Sequence, residues 1–209
     1  PRSIWVALAA GALCNDAVLK PDAGNERYHT LGDPTESALV VAAAQMGMVK
    51  DQMEFFLPRI AEIPFDSTRK RMTTLHRLPS GEDLPDYLDP LMRPEATHVA
   101  FTKGALDGLL NVSGSVLSDD LGIVPIDELK GRIITANERL AKQGIRVLGV
   151  ALRWIYPGDN PHVIREEDLI FIGMVGMIDP PRPEVREAVQ TCRNAGIRPV
   201  MITGDHPLT

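Results

Sequence analysis

The residues of this chain that most invite chemistry are Lys103 and Gly104, which close an apolar run: a cation at a strand end, beside a glycine that lets a ligand approach the backbone. Phe65, one of only five phenylalanines, stands at a strand-to-turn corner where an exposed ring can stack on a flat base. Lys70 follows it within Arg69-Lys70-Arg71, Glu36 lies in the first turn of a helix, and Arg146 comes just after the helix-ending Gly144-Ile145. Each has a plainer reading. Lys103 is then a solvated lysine before a turn, Phe65 a core ring, Glu36 a carboxylate capping its own helix, and Arg146 an edge-strand charge. The phosphate loop Gly-x-x-x-x-Gly-Lys-Ser/Thr, the metalloprotease pair His-Glu-x-x-His and the elbow Gly-x-Ser-x-Gly do not occur. What remains are scattered short segments, each offering a residue type that a nucleotide uses, and it is their combination that counts.

Further along, Asp179 and the triplet Thr203-Gly204-Asp205 each follow an apolar strand, the place where α/β sheets put ligand-binding loops and where phosphate and magnesium are commonly held. Arg182 precedes a proline-started helix, and its plain reading is an exposed first-turn charge. The only cysteines, Cys14 and Cys192, form no Cys-x-x-Cys pair, and no histidine spacing builds a zinc site, so no resident metal is expected. A formal charge of −6 argues against a nucleic-acid partner, although local clusters such as Arg69 to Arg71 can still meet a small polyanion. With 209 residues, 44% of them hydrophobic, the chain can bury one good-sized core or one core and a smaller neighbour. No apolar run approaches the length of a membrane span, so a soluble monomer is expected.

The elements that must position these residues are partly legible. Ser3 to Leu19 reads as a helix, and Asp33-Pro34-Thr35-Glu36 opens a second one that Gly47 ends. Arg71 to Leu78 and His98 to Thr102 read as strands, separated by the proline-rich, acidic surface excursion Pro79 to Thr97. Leu129, Ile133, Ala136 and Leu140 recur at helical spacing ahead of a strand over Ile145 to Leu152. The loop Pro157-Gly158-Asp159-Asn160-Pro161 marks a change of unit. Beyond it a strand over Leu169 to Ile178, a helix with Val185, Ala188, Val189 and Cys192 on one face, and a strand over Ile197 to Thr203 form a parallel β-α-β unit.

Six segments, in this order and at this spacing, resemble the P-type ATPases: G-D-P-T-E-S-A-L from Gly32, P-F-D-S-T-R-K-R-M from Pro64, F-T-K-G-A from Phe101, R-V-L-G-V-A from Arg146, D-P-P-R from Asp179 and M-I-T-G-D from Met201. The resemblance runs nearly end to end and is strongest to the calcium-pump branch. It implies an α/β nucleotide-binding domain over residues 1–165, an antiparallel sheet flanked by helices. A partial Rossmann-like phosphorylation domain over 166–209 is implied to follow it. Implied too are ATP or ADP as ligand, with Lys103 and Gly104 under the adenosine, Phe65 stacked on the base, and Glu36 near the adenine amino group. Lys70 is a second nucleotide-contacting lysine, Arg146 reaches the phosphates, and Arg182 helps join the two domains. Asp179, Thr203, Gly204 and Asp205 are implied to surround a phosphorylated aspartate, with magnesium.

The family's D-K-T-G-T segment, which carries that aspartate, and its G-D-G-x-N-D segment are absent, and G-A-L-D stands where G-A-P-E is commoner. The resemblance therefore implies part of a larger pump on the cytoplasmic side of a membrane. Its partners would be the remaining domains and transmembrane helices, and this part would bind ATP without turning it over. Two rival readings are a phosphohydrolase of the haloacid dehalogenase type, whose Asp-x-Asp nucleophile is missing, and a non-catalytic nucleotide- or partner-binding module.

Overall fold

A computed structural model describes residues 1–21, 28–80, 84–160, 163–178, 182–200 and 202. The chain starts with helix α1 (Arg2–Leu13), whose alanine-rich sequence favours helix and which buries seven of its twelve residues. It stops six residues short of the expected Leu19 because Asn15 captures the chain. The Asn15 amide donates to the carbonyls of Gly11 and Glu36, and its oxygen accepts the Ala17 amide N–H, which turns the backbone out of the helix. A small hairpin follows, with β1 (Val18–Pro21) antiparallel to β2 (Tyr28–Leu31).

Helix α2 (Pro34–Gln45) starts where the sequence places it. The Asp33 carboxylate accepts the amide N–H groups of Thr35 and Glu36, and proline occupies the first turn. Gly47, at φ +80°, ends the helix in the left-handed conformation, with its own N–H and that of Met48 returning to the carbonyls of Ala44 and Ala43. Helix α3 (Lys50–Phe56) leads into the main sheet.

That sheet has seven strands: β3 (Arg59–Asp66), β4 (Arg71–Arg77), β5 (His98–Gly104), β6 (Ser113–Leu117), β7 (Ile123–Pro125), β8 (Arg146–Ile155) and β9 (Leu169–Met177). They lie in the order β3-β4-β5-β8-β9-β6-β7, and every neighbouring pair is antiparallel except β6 with β9. One face, presenting Met72, Val99, Phe101, Val150, Leu152, Trp154 and Ile172, packs beneath α1, Met48 of the loop after α2, and α3. The other is covered by α4 (Leu106–Asn111) and the flank of α5 (Lys130–Ala141), around Leu109, Phe171 and Leu169. The fold is mixed α/β with an antiparallel-dominated sheet between helices, as the resemblance implies.

Three expectations change. The stretch from Pro79 to Thr97 is no mere surface excursion: Leu88 and Leu91 are fully buried, and Trp154 donates its indole N–H to the Leu91 carbonyl. Next, β9 joins the main sheet, antiparallel to β8 and parallel to β6. It is hydrogen-bonded along β8 from Leu152↔Ile170 to Arg146↔Met177, so the sheet continues well past residue 165. Its run of apolar residues reflects burial between two faces, which both parallel and antiparallel central strands share. Finally, α6 (Pro183–Asn194) forms, but Ile197 to Val200 adopt no strand, and Met201 and Thr203 lie outside the described residues.

Candidate functional site

The ends of α2, β3, β4, β5 and β8 converge on a cleft of about 420 Å³. It is lined by Asp16, Asp33, Thr35, Glu36, Leu39, Phe65, Met72, Lys103, Gly104, Arg146 and Leu148. Five of the residues singled out in the sequence are therefore brought together, from segments up to 110 positions apart (Glu36 to Arg146). Position in the strands explains why. Along β5 alternate residues face opposite sides, so Val99, Phe101 and Lys103 share the face beneath α1, and the last of them emerges where the helix layer ends.

Lys103 is buried, and its ammonium donates to Glu36 Oε1 at 2.5 Å. Glu36 Oε2 accepts the Asp16 amide N–H at 3.2 Å. The reciprocal cap that the sequence offered for Glu36 is not formed, because Asp33 alone takes the helix N–H groups and Glu36 turns across the cleft. An ion pair held at the base of an apolar slot gives a ligand both a donor and an acceptor in fixed places. Leu39, Met72 and Leu148 provide the apolar walls.

Phe65 is 63% exposed on the rim, which excludes the core reading. A β-bulge in β3, between Ile63↔Thr73 and Asp66↔Arg71, precedes the turn and re-aims the backbone at this position. A ring so exposed, above an apolar slot, is placed to cover one face of a flat heterocycle. Arg146 at the start of β8 is exposed at the outer end, near Asp33. Burial raises the Asp33 pKa, but the hydrogen bonds from Thr35 and Glu36 and the Arg146 charge together outweigh it and hold it below the ordinary carboxylate value.

Gly104 has a steric reason beyond ligand access. A Cβ there would lie 2.5 Å from both the Lys70 carbonyl oxygen and Arg71 Cβ. Lys70 itself occupies the β3–β4 turn with φ +51°, its amide donating to the Asp66 carbonyl at 2.6 Å and its carbonyl accepting the Ala105 amide at 2.9 Å. Its side chain is exposed and does not line the cleft. Arg182 stands at the exposed N-terminus of α6 and is not among the cleft residues either. Asp179, Thr203, Gly204 and Asp205 lie outside the described residues.

Sequence reasoning missed Asp16, Thr35, Leu39, Met72 and Leu148, which have no chemical signature of their own and line the cleft only because their elements end there. A wider groove of about 620 Å³ runs along the outer side of α5 past Arg132 and Arg139, but it carries no aromatic ring.

Comparison with known proteins bears on the chain as a whole. The family described as the P-type ATPase cytoplasmic domain N matches residues 5–184. Calcium-transporting ATPase 1 of Bacillus cereus is 40% identical over 195 residues, 93% of this chain and 20% of that protein. The calcium-transporting ATPase of Bacillus subtilis is 40% identical over 200 residues, 95% of this chain and 21% of that one. The alpha-2 subunit of a sodium/potassium-transporting ATPase from Gallus gallus is 36% identical over 219 aligned positions, 98% of this chain and 20% of the subunit. The chain thus spans about a fifth of the length of these relatives. Motif order, sheet and family match agree: the chain belongs to the P-type ATPases and corresponds to their cytoplasmic domain N.

Proposed function

We propose that this domain binds ATP in the cleft between α2 and the β3–β4 hairpin, as the nucleotide-holding part of a cation-transporting pump. The observation that carries the reading is the convergence of Phe65, Glu36, Lys103, Gly104 and Arg146 on one apolar-walled cleft. In this reading adenine enters the slot beneath Phe65, its amino group meets Glu36, Lys103 supports the adenosine from below, and Arg146 at the exposed end takes phosphate charge. Lys70, on the turn beside the rim, reaches over the nucleotide from outside. ADP occupies the same place with fewer charges for Arg146 to meet.

In the whole pump the bound nucleotide passes its γ-phosphate to an aspartate of a neighbouring domain. Forming and hydrolysing that aspartyl phosphate drives cation transport. Two relatives named as calcium-transporting ATPases support calcium as the cation, on the cytoplasmic side of a membrane. The division between nucleotide-binding and phosphorylation domains falls, in this proposal, after β9 near Ile178. Asp179, Arg182, Thr203, Gly204 and Asp205 then belong to the second domain, and the exposed apolar face of α6 packs against the rest of it. Among the described residues no three His, Cys, Asp or Glu side chains gather to hold a metal, so magnesium is assigned to the nucleotide phosphates and the second domain.

Calorimetric titration of the chain with ATP, ADP and GTP tests the reading. Saturable binding at millimolar ATP, weaker for GTP, is expected. Equal affinity for GTP, or no saturation, would remove the adenine cleft. Incubation with γ-labelled ATP and magnesium is expected to leave the chain unlabelled, since no D-K-T-G-T aspartate is present.

A further inference from the structure

On the opposite face of the sheet from the cleft, Glu166 gathers four hydrogen bonds from residues of the β3–β4 turn and β4. Arg69 Nη1 donates to both of its oxygens at 2.7 and 2.6 Å, Arg71 Nε to Oε2 at 2.8 Å, and the Thr73 hydroxyl to Oε1 at 2.8 Å. The Thr102 hydroxyl lies 3.0 Å from that of Thr73, and because Thr73 gives its proton to Glu166, Thr102 donates to Thr73. The carboxylate side chain is only 9% exposed and is supplied by the β8–β9 connection, nearly a hundred positions along the chain. That connection is itself pinned to the sheet. Ile164 packs on Leu75, Ala100 and Ile155, and Arg153 donates to the Glu167 carbonyl at 3.0 Å.

Two features link this cluster to the cleft. The two arginines that Glu166 holds flank Lys70, the turn residue in the left-handed region. The second amino group of Arg69 donates at 2.9 Å to the carbonyl of Pro64, inside the bulge that sets the direction of Phe65. One carboxylate therefore grips the turn on both sides of Lys70 and reaches, through Arg69, the residue before Phe65. Its hydrogen bonds outweigh the effect of burial and hold its own pKa below the usual glutamate value, so it is a charged anchor at neutral pH.

We infer that Glu166 is a positioning residue for the nucleotide: acting through Arg69 and Arg71 from behind the sheet, its carboxylate fixes the turn and bulge that present Lys70 and Phe65 to the cleft. The inference rests on the ATP reading above and adds to it a residue that does not line the site. It also gives Arg69 and Arg71 a task distinct from meeting phosphate. Their guanidinium groups lie against Glu166, with Arg69 Nε also 3.9 Å from Asp66 Oδ1, on the face of the sheet opposite the cleft.

The test compares the wild-type chain with Glu166→Gln and Glu166→Asp by ATP calorimetry and by amide hydrogen exchange without nucleotide. Glu166→Gln is expected to weaken ATP about tenfold, with Glu166→Asp recovering part of the loss. In a Phe65→Ala background the further loss from Glu166→Gln is expected to shrink to about twofold or less, whereas an independent site or a general loss of stability would cost the full tenfold again. The amides of Lys70 and Ala105 are expected to exchange several-fold faster in Glu166→Gln while those pairing β5 with β8 do not change.

Should Glu166→Gln fail to fold, Arg69→Ala cuts the same link and carries the same expectations. Unchanged ATP affinity in a folded variant, a loss that is additive with Phe65→Ala, or unchanged exchange at Lys70 and Ala105 overturns the inference. So does tighter ATP binding, which would show Arg69 and Arg71 released to meet phosphate. If wild-type chain binds no ATP, the functional reading falls and takes the nucleotide role with it, while the exchange data still decide whether Glu166 holds the hairpin.

Discussion

Helices α1 and α6 have the same length and opposite fates. α1 is nearly uniform in hydrophobicity around its axis, yet seven of its residues are buried beneath α2 and against β5, β8 and β9. α6 has a sharply one-sided pattern, with Val185, Ala188, Val189 and Cys192 along one face, yet none of its residues is buried and Val185 is 42% exposed. A one-sided pattern states which face needs cover; it does not say that the cover lies nearby. A helix apolar all round announces that it is enclosed. The difference separates the part of the chain whose packing is complete, including the cleft, from a C-terminal part whose apolar face is open.

The largest effect that would break this contrast is core truncation. Leu13→Ala, at a fully buried position of α1, is expected to cost about 2–5 kcal/mol by urea unfolding, since it removes a side chain from the close-packed layer under the cleft. A cost below 1 kcal/mol would show that α1 is loosely held.

Next in size is an effect of pH on the same layer. His76 is buried on β4, where its Nδ1–H donates to the Leu57 carbonyl at 2.8 Å and its Nε2 accepts from Thr74 at 3.0 Å. Burial, aided by the nearby Arg59 and Lys50 charges, lowers its pKa to about 4 despite that hydrogen bond. The unfolded chain takes up the proton near the ordinary histidine value, so the folded state loses stability as pH falls from about 6.5 towards 4. The full loss is roughly 3 kcal/mol. Glu166, with its depressed pKa, contributes stability above the ordinary glutamate range, and that is lost only on further acidification. Unfolding midpoints measured from pH 7 to 4 check the histidine part, and His76→Gln should flatten that slope.

The cleft separates binding from stability in a way the core does not. Phe65→Ala is expected to weaken ATP by about 1–3 kcal/mol while leaving the unfolding midpoint almost unchanged, because the ring is largely exposed. The smallest effect belongs to α6, where Val185→Ser should alter the stability of this chain by less than about 0.5 kcal/mol. A larger cost would mean that the apolar face of α6 is covered after all.

Motif order made the family and the five cleft residues legible, because each motif carries its chemistry in a few adjacent positions. Helix α2 was equally plain, since its cap, proline and closing glycine are local signals. What sequence could not supply were outcomes of competition. Whether Glu36 serves its own helix or Lys103 depends on a strand 67 residues away. Asn15 ends α1 by bonding to the Glu36 carbonyl of another helix. That β9 joins the main sheet, between antiparallel β8 and parallel β6, was not legible, because a strand buried on both faces looks the same whichever way its neighbours run. Glu166 left no trace, because one glutamate of the loop run Glu166-Glu167-Asp168 has no periodicity to betray two arginines almost a hundred positions earlier.

The burial of α1 also sets an order of events during synthesis. This helix leaves the ribosome before much of the surface that covers it, which includes Val150 and Leu152 of β8 and Ile172 of β9, more than a hundred positions later in the chain. Until they appear, an apolar helix has only α2, α3 and the early strands to shelter it. Nascent chains arrested before Arg146 should therefore be cut readily within α1 by protease, and chains extended past Met177 should be protected there. Protection of α1 thus reports completion of the sheet.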